Sequence, residues 1–209
     1  MRRFAARSQT FTLPNKKAAY ELTHIVFYLS EYGRVDPQVD DAIVDSLKFA
    51  GTLAFLDLNL DLLSEVCIAL RFAGQMPPHI WEGWLRQQAR QFTVFAQPEA
   101  GASDDYNQFL MVNWFMSVAG QGGFAQQIPE GRLMFLQPPA GSGPLRQLSE
   151  SLYRLDGARS ADWQAMRRAV GADLSDDAQL VLSAAEAAID KFDRFFAGFA
   201  RVGMRRCRP

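Results

Sequence analysis

The sequence is poor in cysteine and histidine, with two of each in 209 residues. Cys67 lies in an apolar run that is typical of a buried thiol, and Cys207 lies near the end of the sequence. A disulfide between them is compatible with the pattern, but two cysteines form no secreted disulfide framework. Only His24 and His79 can supply imidazoles, so sites that need three or more histidines are excluded.

The sequence also lacks a charge excess and a long apolar run. Its 22 basic and 23 acidic residues give a net charge of −1, which argues against a nucleic-acid-binding surface. No segment approaches the ~18 apolar residues of a membrane span, and no apolar segment follows the basic start as in a secretory signal. We therefore expect a cytoplasmic protein that binds neither nucleic acid nor a membrane.

Strand signals are almost absent, whereas helix start and stop signals recur. Caps, prolines, glycines and apolar periodicity predict about eight helices joined by short loops, and therefore an all-α, single-domain helical bundle. The first five predicted helices are 14–33, 36–51 with Asp36 as cap, 53–73, one from Pro78, and 104–120 with Ser103 or Asp104 as cap.

A linker divides this chain in two. Residues 137–144 are rich in proline and glycine and separate a main helical domain, 1–136, from a C-terminal helical segment, 145–209. In that segment we predict helices at 145–155, from a Ser160 cap, and from a Ser175 cap to the end. The segment either packs back as a helical hairpin or forms a partner-binding arm, whose aromatic stripe would contact another subunit or a second copy through Phe195 and Phe199.

The stretch "AFLDLNLDLLSEV" carries carboxylates at intervals of four, at Asp57, Asp61 and Glu65. The surrounding apolar run exceeds the length of a typical strand, so we predict one continuous helix with these carboxylates on one ridge. The ridge has three interpretations. The carboxylates face solvent on the edge of the helix, or they form a structural ion pair with Arg71 or another basic residue, or they line a cleft that binds a metal, an amine or another cation.

The first long helix carries a second polar line, with Glu21, His24 and Tyr28 on one stripe and Tyr32 beyond it. "ELTH" is a Glu-x-x-His step, a spacing used in di-iron helical bundles. Such sites need two of these steps, so only a single divalent ion remains possible here, and we predict no other cofactor. Alternatively, His24 is a general acid or base oriented by Glu21, or it hydrogen-bonds a carboxylate within a helix interface.

The fifth predicted helix opens with a polar cluster. Asp104 and Asp105 suit a helix N-terminus, and Tyr106 and Asn107 follow them. Asn113 lies in an otherwise apolar run and needs partners if it is buried. We interpret it as a core hydrogen-bonding residue or as a pocket residue.

The strings "ELTHIVFYLSEYG", "DLLSE" and "YNQFLMV" together resemble an uncharacterised family of bacterial helical proteins. The matching residues are Thr23, His24, Phe27, Tyr28, Asp61, Leu62, Leu63, Glu65, Tyr106 and 110–112. Where the family pattern has a histidine after the tyrosine, this chain has Asn107. The resemblance covers roughly half the chain and implies an all-α fold and a role in a bacterial biosynthetic pathway.

Two classes of function follow. In the first, the chain is an enzyme with catalytic residues His24, Tyr28 and Glu65 and with ligand-binding residues Glu21, Asp57, Asp61, Tyr106, Asn107 and Asn113. In the second, it is a non-catalytic accessory or partner-binding protein. We favour the second class because the sequence shows one well-placed histidine and several carboxylates rather than a complete set of reacting groups.

Overall fold

Helices dominate the computed structural model, which describes residues 1–96, 104–138 and 141–202. Over those residues the predicted all-α class is confirmed, with ten α-helices and one small sheet. Helices α1 to α6 are Arg2–Ala5, Lys16–Leu29, Asp41–Leu56, Leu60–Phe72, His79–Ala89 and Tyr106–Val118. Helices α7 to α10 are Leu145–Leu155, Trp163–Gly171, Asp176–Ala188 and Phe192–Phe199. A 3-10 helix, Ser8–Thr12, joins α1 to α2.

Helix α4 lies in the middle of the core, where α2, α3, α5 and α6 pack against it. All of its residues from 62 to 70 are buried, and Cys67 is a free buried thiol as predicted. Cys207 lies outside the described residues. Burying such a run gives the main stabilisation of the bundle, at about 25 cal/mol for each Å² of apolar surface. Asp61 and Glu65 must therefore find polar partners on the helices that enclose α4.

The single helix predicted over 53–73 is wrong. Helix α3 ends at Leu56 and α4 begins at Leu60, and between them Leu58 has a φ of +49°. Asn59 favours this break because its side chain accepts the Leu62 N–H at 3.0 Å, which caps α4. A positive φ is uncommon for leucine, so the local pattern favoured a continuous helix. As a result, Asp57 caps the end of α3 and does not continue the line of Asp61 and Glu65.

The bounds predicted for α3 are also wrong at both ends. Asp40 rather than Asp36 is the N-cap, and its side chain accepts the Ile43 N–H at 2.9 Å. Gly51 lies inside the helix, not after it, because the Trp81 ring packs there. A Cβ at this position would lie 2.5 Å from a ring carbon of Trp81. The glycine thus allows close packing rather than ending the helix.

A two-stranded antiparallel sheet was not predicted. Strand β1 (Thr93–Ala96) pairs with β2 (Leu133–Leu136), with Val94 opposite Phe135. Each strand has four residues, too few for a clear alternating pattern in the sequence. The Phe135 carbonyl accepts the Asp105 N–H at 2.8 Å, which fixes the start of α6. The loop predicted at 97–103, with its Ser103 cap, lies outside the described residues.

Two predictions for the C-terminal segment are confirmed. Helix α7 has the predicted bounds, and Ser175 caps α9 by accepting the Ala178 N–H. The cap of α8 is Asp162 rather than Ser160. The long last helix is instead two helices, because Ile189 is extended at φ −129° and α10 begins at Phe192. Within the predicted linker, residues 139–140 lie outside the described ranges.

A buried carboxylate attaches α10 to α3. Asp45 of α3 accepts Lys191 Nζ at 2.6 Å on one oxygen and Arg194 Nη1 at 2.8 Å on the other. Arg194 also donates to the Ser8 hydroxyl at 3.2 Å. Three segments that are distant in sequence thus meet at one ion cluster. A second pair, between Lys48 and Asp190, is far more exposed.

We expect Asp45→Asn to lower the free energy of unfolding by about 2 kcal/mol, because the buried carboxylate accepts charged donors on both oxygens. Urea denaturation measures this change. The control is Asp190→Asn, which removes an exposed partner of Lys48 and should change stability by less than about 0.5 kcal/mol. Equal effects of the two substitutions would contradict the role given to Asp45.

Candidate binding site between helices α2 and α6

Helix α4 lies between α2 and α6, which run in the same direction on either side of it. At one end, Tyr20 of α2 and Asn107 of α6 both hydrogen-bond Asp61 of α4. Toward the other end, the rings of Phe27 in α2 and Trp114 in α6 are 5.2 Å apart. We call this surface the α2–α6 face. It comprises Tyr20, Thr23, His24, Phe27, Tyr28, Tyr32, Asp61, Glu65, Phe72, Asn107 and Trp114.

Glu65 lies at the centre of this face and is only 7% exposed. Its Oε2 is hydrogen-bonded to the Thr23 hydroxyl and lies 3.6 Å from His24 Nε2. Burial raises the pKa of the Glu65 carboxyl, and the neighbouring Asp61 raises it further. Thr23 and His24 act in the opposite direction but do not offset the desolvation. Glu65 therefore holds a proton at higher pH than an ordinary glutamate.

The Thr23 hydroxyl has one proton and two acceptors within reach. It lies 2.9 Å from the Tyr20 carbonyl and also hydrogen-bonds Glu65. When Glu65 is ionised, Thr23 donates to it and leaves the carbonyl without this donor. When Glu65 is protonated, the carboxyl donates to Thr23, which can then donate to the carbonyl. The protonated state thus satisfies one more hydrogen bond.

Asp61 receives its hydrogen bonds from neutral groups. The Tyr20 hydroxyl donates to Oδ2 at 2.5 Å and the Asn107 amide donates to Oδ1 at 2.8 Å. Burial and the hydrogen bond to Asp61 raise the pKa of the Tyr20 hydroxyl above its usual value, and the charges of Asp61 and Glu65 add to this. Tyr20 therefore remains a neutral donor at physiological pH, and the negative charge of Asp61 is not cancelled.

Among the residues that the structure describes, no lysine or arginine forms an ion pair with Asp61 or Glu65. Arg71, which the sequence suggested as a partner, instead pairs with Glu82 of α5, its Nε 3.0 Å from Oε1. Asp57 does have a basic partner, because Lys16 Nζ lies 2.8 Å from its Oδ2. The three carboxylates of the predicted ridge thus have different environments, and Asp57 lies away from the α2–α6 face.

The other predicted residues of the first long helix, Glu21, His24 and Tyr28, line one open groove along α2. His24 is half exposed, and its ring lies 6.5 Å from that of Tyr28. Tyr28 is exposed at the edge of the α2–α6 face. Glu21 is exposed, and Lys17 and Met1 line the same groove. Glu21 therefore does not orient His24 through a hydrogen bond, whereas Glu65 lies close to it.

The polar residues predicted on the fifth helix have separate roles. Asn107 contacts Asp61, whereas Tyr106 is exposed and its ring packs against Phe135 at 5.7 Å. Asn113 is buried and bridges two backbone groups. Its amide donates to the Phe109 carbonyl at 2.8 Å, and its oxygen accepts the Phe124 N–H at 2.9 Å. Asn113 is thus a core hydrogen-bonding residue, which was one of its two interpretations.

Phe195 and Phe199 are buried in the chain's own core. The Phe195 ring lies 6.0 Å from that of Phe49 in α3 and 5.8 Å from that of Phe199. The predicted contact of these two residues with another subunit is therefore wrong for this structure. The stripe faces inward because α10 packs against the 3-10 helix, α8 and α9.

Within the described ranges, no group of three or more His, Cys, Asp or Glu side chains is placed to hold a metal ion. His24 and Glu65 are close, but Asp61 bonds Tyr20 and Asn107, and Glu21 is exposed to solvent. The geometry thus gives no donor set for the divalent-ion alternative.

Tyr20 was not predicted from the sequence as a residue of this site. Tyr20 precedes His24 by one helical turn, so the same periodicity that paired His24 with Tyr28 also places Tyr20 on their stripe. Trp114 was likewise treated only as part of an apolar run. The contact of either residue with α4 depends on the bundle geometry and leaves no local signal.

The comparisons place the chain in a family and give no activity. The sequence model of a family described as "Domain of unknown function (DUF6902)" matches residues 1–202. This confirms the resemblance to an uncharacterised family. No curated protein and no solved structure matches the chain. Among the described residues, no helix has the length and hydropathy that a membrane span requires.

We expect Glu65→Gln to gain stability relative to the unsubstituted protein as the pH rises from about 4 to about 7. A carboxyl with a raised folded-state pKa contributes its stability below the unfolded-state pKa. It loses that contribution as the pH rises through the folded-state pKa, whereas glutamine does not titrate. Denaturation curves at several pH values measure the trend. Glu21→Gln, an exposed change on the same helix, is the control, and the same trend in both would contradict the assignment.

Proposed function

The chain belongs to this family, and from its own residues we propose that it is a non-catalytic binding protein. Its α2–α6 face would hold a cationic group, an ammonium or a guanidinium, of a partner molecule. The observation that carries this proposal is the pairing of Asp61 and Glu65 with neutral donors and one half-exposed imidazole. In the part of the chain that the structure describes, no lysine or arginine forms an ion pair with either carboxylate, so their negative charge stays concentrated at this face.

A cation bound at this face would offset two unfavourable contributions to the free energy of the ionised carboxylates. Burial makes the Glu65 carboxylate costly in its charged form, and the neighbouring Asp61 repels that charge. A cation beside Glu65 favours the ionised carboxylate, so binding and ionisation support each other. Tyr20, Thr23 and Asn107 fix the carboxylate oxygens before a ligand arrives, which reduces the entropy cost of binding.

A second candidate is proton transfer by the His24–Glu65 pair. Two features favour it: the raised pKa of Glu65, and the position of His24 between Glu65 and solvent. In this role Glu65 would accept a proton through His24, with Thr23 holding its oxygen. Tyr28 offers little to such a reaction, because its ring lies at the exposed edge of the face. We therefore favour binding over catalysis.

Three more specific predictions from the sequence are part of this proposal: a protein partner, a cytoplasmic location and an accessory role in a bacterial biosynthetic pathway. The polar centre of the α2–α6 face suits an accessory role, because it combines fixed charges with exposed aromatic rings, a combination that suits recognition of a partner. The partner would then supply the chemistry, and this chain would recognise it.

Histidine NMR tests the proposal directly, because the chain has only His24 and His79. Titration with methylguanidinium or n-butylammonium should shift the His24 ring signals saturably, with a dissociation constant on the order of 1–10 mM, and leave His79 unchanged. Neutral N-methylurea is the matched ligand control. Asp61→Asn should weaken the effect, whereas Asp57→Asn should not. Equal shifts with N-methylurea, or none with either cation, would contradict the proposal.

A further inference from the structure

Aromatic rings cover the end of the α2–α6 face that is opposite Asp61. Tyr28 and Tyr32 are 63% and 55% exposed, and their rings lie 6.0 Å apart in an edge-to-face arrangement. The Tyr32 ring lies 6.4 Å from that of Trp114 and 6.2 Å from that of Phe27. We call Phe27, Tyr28, Tyr32 and Trp114 the aromatic end. Two large exposed rings beside the partly buried Trp114 form an apolar patch that is typical of an interaction surface.

The turn after α2 holds this arrangement in place. Glu31, Tyr32 and Gly33 are consecutive residues with φ of 48°, 58° and 85°. The Tyr32 N–H donates to the Phe27 carbonyl at 2.8 Å, and the Ser30 hydroxyl accepts the Gly33 N–H at 3.1 Å. A Cβ at Gly33 would lie 2.5 Å from the Phe72 ring, so only glycine fits there. The Tyr32 ring is thus fixed beside Phe27 and Trp114.

The acidic centre and the aromatic end form one continuous strip along α2. Tyr20 and Tyr28 are two turns apart, a separation of about 12 Å at 1.5 Å per residue. His24 lies between them and next to Glu65. On α6, Asn107 and Trp114 mark the same two ends at about 10.5 Å. An extended peptide spans such a distance in three or four residues.

The charges in this strip favour a basic occupant. Asp61 and Glu65 lie in the strip, and the turn that holds Tyr32 carries one acidic and one basic residue, Glu31 and Arg34. Lys17 and the N-terminal Met1 line an open groove along α2 that also includes Glu21, His24 and Tyr28, so acidic and basic groups both lie beside the strip. The charged side chains that bond the α2 and α6 residues of the strip are Asp61 and Glu65, so a ligand cation between the two helices would meet carboxylates.

Arginine suits both ends of the strip better than lysine. Its planar guanidinium forms paired hydrogen bonds with a carboxylate, and it also stacks on aromatic rings. A lysine ammonium is a compact, strongly hydrated charge and gains less from the tyrosine and tryptophan faces. The combination of fixed carboxylates and exposed aromatic rings is therefore selective for guanidinium groups.

We propose that the α2–α6 face binds an extended segment of a protein partner that carries two arginines three or four residues apart. One guanidinium pairs with Asp61 and Glu65, and the other stacks on Tyr28 and Tyr32 at the aromatic end. This inference rests on the proposed function, because it names the source of the cation and adds the aromatic contact. A second copy of this chain is the competing occupant and is distinguished by the test.

The test uses a labelled glycine peptide with arginines four residues apart, and the same peptide with lysine or with neutral citrulline in their place. Fluorescence anisotropy with the full chain should show the arginine peptide binding at least about threefold tighter than the lysine peptide, and no citrulline binding. Tyr28→Ala should weaken arginine-peptide binding about two- to fivefold. Tyr153→Ala on α7, where the tyrosine is 67% exposed, is the matched control and should leave binding unchanged.

The outcomes separate this inference from the proposed function. If small cations shift His24 but the arginine and lysine peptides bind equally, or Tyr28→Ala has no effect, the arginine segment is overturned and the cation site stands. If neither the cations nor the peptides bind, both proposals fail. If sedimentation shows a dimer that Tyr28→Ala dissociates, a second copy occupies the face and the peptide proposal is overturned.

Discussion

The hydrogen bonds that Thr23, Tyr20 and Asn107 donate to two carboxylates of α4 determine how the centre of this bundle is built. Helix α4 is enclosed by its neighbours, so Glu65 and Asp61 need donors from α2 and α6. Those donors are neutral. They satisfy hydrogen bonding without cancelling charge, and the polar centre of the α2–α6 face therefore stays negative.

Two other features of the chain allow this arrangement. The turn capped by Asn59 ends α3 before α4 begins, so Asp57 can pair with Lys16 while Asp61 begins the line that faces α2 and α6. Near the other end of the chain, α10 is attached to α3 by the ion pairs that Lys191 and Arg194 form with Asp45. This attachment buries Phe195 and Phe199, whereas Tyr28 and Tyr32 are exposed beside the acidic centre. The candidate interaction surface thus lies on α2 rather than on the last helix.

Local signals in the sequence predicted the class of the fold and much of its helical content. Ser175 and the α7 bounds were predicted correctly, because caps and periodicity are local. The turn at Leu58 and the position of Gly51 inside α3 were not predicted. A positive φ at leucine and close packing against Trp81 both arise from tertiary contacts. For the site, helical periodicity identified His24, Asp61 and Glu65. It also identified Asp57, but the turn at Leu58 places that residue outside the α2–α6 face. Tyr20 and Trp114 become part of the face only once α2, α4 and α6 are packed together.

The central claim is that Glu65 is a buried carboxyl that, among the described residues, has one imidazole but no lysine or arginine as an ionic partner. Carbon-13 NMR of the glutamate side-chain carboxyls, assigned by comparison with Glu65→Gln, measures its titration directly. The structure predicts a midpoint above the ordinary glutamate range that falls when methylguanidinium is added, because a bound cation favours the ionised form. A midpoint within or below the ordinary range, or one that methylguanidinium leaves unchanged, would contradict this account of the face.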